Sequence, residues 1–154
     1  MPVRIKQRNP GAIKKLLQRY DKGVDIAVGL PKGSEGAGVK YPDGTDLLDV
    51  AFWNEFGTSS IPERSFIRVG VRANLDDLNK LAADLVKELN EGKIDIETAG
   101  EALGLKAAAG VKNYIVELTS PPNAPATIKI KKSSNPLVDT GLLNQSITHE
   151  IRER

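Results

Sequence analysis

The clearest alternation in the chain runs from Val24 to Leu30. Val24, Ile26, Val28 and Leu30 fall on one side, and Asp25, Ala27 and Gly29 on the other. A period of two predicts a half-buried strand. Elsewhere the apolar period is helical. Ile13, Leu16, Leu17 and Tyr20 form a stripe that follows Asn9-Pro10, a pair suited to a helix start, and Gly23 ends it. The helix is expected to pack on the domain's own sheet. Leu75, Leu78, Leu81, Ala82, Leu85 and Leu89 mark the buried side of a long helix, with Asn74 as its cap and Gly92 as its stop. Asp95 caps a second long helix that runs to Leu118. Its inner face reads Ala99, Leu103, Ala107, Gly110, Val111, Tyr114 and Leu118. Each helical glycine here costs about 1 kcal/mol against alanine. Close packing must offset that, so the two helices are expected to form an antiparallel hairpin. The second then lies at the centre of the core or at a subunit interface.

The stretch Thr45 to Arg68 holds the one Trp and all three Phe residues. Leu48, Phe52 and Phe56 recur at helical spacing, with Leu47 and Ala51 beside them, and Asp46 suits the helix N-terminus. Gly57 stands where a helix C-terminus favours a left-handed residue, and Pro62 pushes Ile61 toward an extended conformation. Glu55 and Arg64 lie close to aromatics, and neither tolerates burial alone. They are either solvated residues flanking a loop or a pair that locks it across Gly57 to Pro62. Further strands are expected at Val39 to Tyr41 (a hairpin with the first strand), Phe66 to Val71 and Gln145 to Arg152, and one helical turn at Ala126 to Lys131. Together these predict a single α+β domain over residues 1–154. An antiparallel sheet of about four strands packs against the helical hairpin and two shorter helices. Residues 1–8 read as a basic arm. Residues 31–44, rich in Gly and bounded by Pro, are expected to be a mobile loop.

A net charge of +2 is too small to imply a nucleic-acid partner by itself. Its distribution is uneven: residues 1–22 are basic and residues 74–101 acidic, which suits either solvated helix faces or head-to-tail contact between copies. There is no Cys and one His, so thiol chemistry and a histidine-rich metal site are excluded. No apolar run is long enough to cross a membrane, and the start lacks the apolar core of a signal peptide. Lys32-Gly33-Ser34 lacks the spacing of a phosphate loop. Asp139-Thr140-Gly141 has the apolar flanks of an aspartic-protease turn, but the long helices upstream have no place in that β fold. Lys129, Lys131 and Lys132 face either DNA phosphate or solvent. No catalytic constellation and no cofactor is expected.

Two blocks carry a resemblance. Asn54-Glu55-Phe56-Gly57-Thr58, followed by Ile61-Pro62-Glu63-Arg64-Ser65-Phe66-Ile67-Arg68, resembles the virion-morphogenesis, minor-tail and tail-completion (neck) proteins of tailed bacteriophages. Pro136-Leu137-Val138-Asp139-Thr140-Gly141-Leu142-Leu143, then Ser146-Ile147-Thr148, is similar to the C-terminal block of the same families, in which the turn leads through a short helix into a closing strand. Ala126-Thr127-Ile128 with Lys131 matches a further element, so the likeness spans Thr45 to Ile151. It implies a structural protein that joins the tail to the head connector as a homo-oligomeric ring around the DNA channel, six being the implied number. Implied partners are other copies, the tail tube or terminator, the head-tail connector and, without sequence specificity, packaged DNA. The implied location is the virion, assembled in the host cytoplasm, with no membrane contact.

On this reading Glu55, Gly57, Pro62, Arg64, Asp139, Thr140 and Gly141 form structural locks. Tyr41, Trp53, Phe56, Thr58, Ile61 and Phe66 serve the subunit interface. Arg4, Lys6, Arg8, Lys129, Lys131 and Lys132 are channel-wall candidates. The alternatives are a capsid-assembly or tail-terminator factor and, from another class, a small nucleic-acid-binding module. The scarcity of aromatics for base stacking counts against the last.

Overall fold

The structure is a computed structural model describing residues 11–131, 133–138 and 140–154, with the backbone alone at 12, 13 and 131. In chain order the elements are α1 (Ala12–Gln18), β1 (Val24–Gly29), α2 (Leu47–Phe56), α3 (Phe66–Ala73), α4 (Leu75–Glu91), α5 (Ile96–Glu117), α6 (Pro125–Lys131), α7 (Leu142–Ser146) and β2 (Thr148–Glu153). The class is α+β, as expected.

Everything is arranged on α5. Asp95 starts it by accepting the Thr98 N–H at 2.8 Å, and its bonds to Thr98 hold its carboxyl below the ordinary range. Ala107, Ala108, Val111 and Ile115 are buried along α5, and α3, α4, α7 and both strands pack against it. The small residues mark the closest approaches. A Cβ on Gly70 of α3 would stand 3.0 Å from the Val111 Cα, and one on Gly104 would run into the His149 ring. The fully buried residues Leu47, Phe66, Val111, Ile115, Leu143 and Ile147 bring α2, α3, α5, α7 and the lead-in to β2 into one core. The helical hairpin forms as expected. Gly92 turns α4 into α5 with φ 72°, and Lys106 reaches Asp77 at 3.5 Å across the pair.

The sheet departs from expectation. It has two antiparallel strands among the described residues, with Asp25 opposite Arg152, Ile26 opposite Ile151 and Val28 opposite His149. Phe66 to Val71 is helix α3, not a strand. The Glu55 carboxylate accepts the N–H groups of Ile67 and Arg68, which caps a helix start from a distant residue. Val39 to Tyr41 does not pair with β1. It closes on residues 45–47 instead, through Tyr41 N–H to Thr45 O at 2.8 Å and Leu47 N–H to Val39 O at 3.0 Å. The turn between is set by Asp43, whose carboxylate takes the Thr45 N–H at 2.9 Å. Closing so short a loop costs less entropy than the longer return to β1. Residues 31–37 form successive turns, and Gly36 lies against Ser146.

Three local expectations also change. Helix α1 is tied to the end of α4 rather than to the sheet. Arg19 donates to the Leu89 carbonyl at 3.1 Å and also to the Asn90 carbonyl, at the negative end of α4. Leu16, Leu17 and Tyr20 are exposed. Asn74 stands at the cap position of α4, but its side chain bonds back to the Gly70 carbonyl. The first residue of the expected α4 stripe, Leu75, is exposed. The basic arm at 1–8 lies outside the described residues.

Candidate functional site

Helix α2 separates two environments. Asp46 caps it by accepting the Leu48 N–H at 2.9 Å. Its buried side holds Leu47, Ala51, Asn54 and Glu55. Its outer side carries Leu48, Phe52, Trp53 and Phe56, all exposed, with Phe52 at 61% and Phe56 at 54%. The Phe52 and Phe56 rings pack on each other with centroids 4.8 Å apart. Beside them an apolar groove of about 320 Å³ is lined by Leu30, Leu48, Ala51, Phe52, Phe56 and Ile67.

The expected Glu55–Arg64 pair is not made. Neighbouring helical residues point about 100° apart, so Asn54 and Glu55 face different partners. Glu55 reaches the start of α3, where its carboxylate accepts the Ile67 N–H at 2.8 Å and pairs with the Arg68 guanidinium at 3.0 Å. Arg68 also pairs with Glu63 at 2.8 Å and lies 5.1 Å over the Phe56 ring. The bond to Glu55, above all, raises the Arg68 pKa. The Ser65 hydroxyl, with Arg68, holds Glu63 below the usual carboxylate range.

Arg64 turns the other way. It is buried, and its donors all meet neutral acceptors: Asn54 Oδ1 at 2.9 Å, the carbonyls of Pro121 at 2.8 Å and Pro122 at 3.0 Å, and Asn123 Oδ1 at 3.1 Å. Burial lowers its pKa. The guanidinium therefore staples α2 to the proline-rich connection between α5 and α6.

The loop from Gly57 to Pro62 closes on itself. Thr58 Oγ1 accepts the N–H groups of Ser60 and Ile61, and the Thr58 N–H donates to the Ile61 carbonyl at 2.8 Å. Gly57 has φ 75°, and a Cβ there would press on the Glu63 backbone at 3.0 Å. Gly57 is thus required both by conformation and by space.

The downstream block meets this region. Pro136, Leu137 and Leu143 share with Asn54, Val50 and Tyr41 a cleft of about 480 Å³. A second cleft of about 260 Å³ joins Ile61, Pro62, Arg64, Asn123, Thr127 and Pro136. Thr140 Oγ1 accepts the Leu142 N–H at 3.3 Å, and Gly141, with φ 78°, opens α7. Asp139 lies outside the described residues. Asn135 is the residue that sequence reasoning missed. Its Oδ1 takes the N–H groups of Leu137 and Val138, while its Nδ2 donates to the Ile115 and Val116 carbonyls at the end of α5. An Asn directly before Pro136 was the available signal.

Of the expected interface residues, Trp53, Phe56 and Thr58 are exposed, and Ile61 and Tyr41 are half-buried. Phe66 is fully buried in the core and leaves the interface set. Of the channel-wall candidates, Lys129 is exposed on α6. Lys131 ends that helix, and Arg4, Lys6, Arg8 and Lys132 lie outside the described residues. His149 donates its Nε2–H to the Glu101 carboxylate at 2.7 Å and packs over Gly104, a structural position. Among the described residues no group of three or more potential ligands is placed to hold a metal, and no helix is long and apolar enough to cross a membrane.

Comparison with protein-family models, curated proteins and solved structures finds no match. The two blocks and the surface they build are therefore what a functional reading has to stand on.

Proposed function

We propose that this chain is a structural subunit of a tailed-bacteriophage virion, a tail-completion or neck component that joins the tail to the head connector as a ring around the DNA channel. The carrying observation is the convergence of the two phage-like blocks. Residues about 70 positions apart meet here: Asn54, Thr127 and Pro136 line both clefts, and Arg64 lines the second. A joint role for the two blocks requires such proximity. The outer face of α2 supplies what a ring subunit needs in addition, a surface that a neighbour can cover. Aromatic side chains dominate interface energetics, and Phe52, Trp53 and Phe56 stand together on one exposed face.

The double variant Phe52→Ser with Phe56→Ser should keep its circular-dichroism spectrum, because both side chains are outside the core, yet lose the ring. Light scattering and native mass spectrometry of the purified chain, with the wild type alongside, check it. A variant that still forms the wild-type assembly contradicts the assignment of the α2 face.

A further inference from the structure

We propose that the free edge of β2 pairs with the β2 edge of a second copy of this chain, antiparallel and centred on Ile151. The hydrogen-bond pattern fixes which groups are available. Arg154 donates its N–H to the Gly23 carbonyl at 2.9 Å, which makes 23 and 154 a hydrogen-bonded pair. Such pairs alternate along an antiparallel ladder. With the observed register, Asp25–Arg152 and Ala27–Glu150 exchange bonds within the sheet, whereas His149, Ile151 and Glu153 turn their N–H and C=O groups outward. Among the described residues these outward groups have no hydrogen-bond partner. A row of unpaired backbone groups on an edge is a template for another strand, and a two-stranded sheet gains most from one.

The side chains select the occupant. Around Ile151 the sequence of β2 is its own electrostatic complement. In the centred register Glu150 of each copy faces Arg152 of the other, and His149 faces Glu153. Glu150 and Arg152 are both accessible, at 40% and 55% of their side-chain surface, and already pair with each other at 3.0 Å within the chain. The adjacent two-fold registers are disfavoured, because centring on residue 150 opposes two glutamates and centring on 152 opposes two arginines. Outward-facing residues meet outward-facing residues only when the register preserves this parity, and the centred one does.

The product is a four-stranded antiparallel sheet with strand order β1-β2-β2-β1 shared by two chains. It is isologous and closes at two copies, so it is separate from the head-to-tail contact of a ring and does not rest on the neck reading.

Charge exchange tests it on the full chain. Glu150→Arg and Arg152→Glu should each weaken β2-edge self-association about tenfold or more, since each places two like-charged pairs across the contact. Mixed in equal amounts, the two variants should form a hetero-pair, because every cross-strand pair is again opposite in sign. Sedimentation equilibrium reads both effects, and circular dichroism checks the fold. Retention of wild-type self-association by each single variant, or no hetero-pair on mixing, overturns the proposal. Should a variant fail to fold, amide exchange of the wild type decides. The Ile151 N–H should become protected as protein concentration rises, and fast exchange at all concentrations overturns the pairing.

Discussion

Arg64→Ala should lower the unfolding free energy by about 3 kcal/mol and the melting temperature by about 6–12 °C. Few single side chains in this protein hold so many groups at once. The guanidinium is buried, and it satisfies two main-chain carbonyls and two asparagine side chains. Removing it leaves Asn54 Oδ1 and the Pro121 and Pro122 carbonyls without a donor. Each such group costs about 1–3 kcal/mol when buried, and the adjacent cleft lets water recover part of that. Arg64→Lys keeps the charge but not the planar fork, so it should restore less than half of the loss. Urea unfolding monitored at Trp53 measures both. A loss below about 1 kcal/mol for Arg64→Ala would show that the proline-rich connection holds itself.

Glu55→Ala should cost about 2–3 kcal/mol. The ion pair with Arg68 is the smaller part, because the Arg68 side chain is 54% exposed and solvent screens it. The larger part is the cap. Without the carboxylate, the N–H groups of Ile67 and Arg68 at the start of α3 lose their acceptor in a partly buried site. Glu55→Gln keeps one acceptor oxygen and should cost about half as much. Amide exchange separates the cap from a general loss of packing. Ile67 and Arg68 should lose protection in Glu55→Ala before the amides of α5 do. Uniform loss along the chain would contradict the capping role.

These two side chains also show how far the sequence could be read. The cost of burying a charge next to aromatics said only that neither Glu55 nor Arg64 would be buried alone, and left open whether they are solvated or paired with each other. Their partners could not be read, because a one-residue step on a helix redirects a side chain and the receiving elements lie elsewhere in the chain. Phe66 to Val71 was misread for the same reason. Its local composition suits a strand, and its helix is decided by a carboxylate about a dozen residues upstream. The α4–α5 hairpin was legible because apolar periodicity, Gly92 and the Asp95 cap all agree locally. The small residues of α5 announced a close neighbour but not which one, and it proved to be α3 on one side and the sheet on the other. The count of strands failed because short apolar runs do not say whether their edges find partners. Asn135 escaped notice because its role is to bind main-chain groups of a helix end about 20 residues away, and no periodicity records that.

The proposed neck role is tested most directly by deleting the gene from the genome that encodes it and imaging the particles in the lysate by negative-stain electron microscopy. The account predicts DNA-filled heads beside separate tails of normal length, with joining restored when the purified protein is added back. Normal infectious particles without the protein would contradict it.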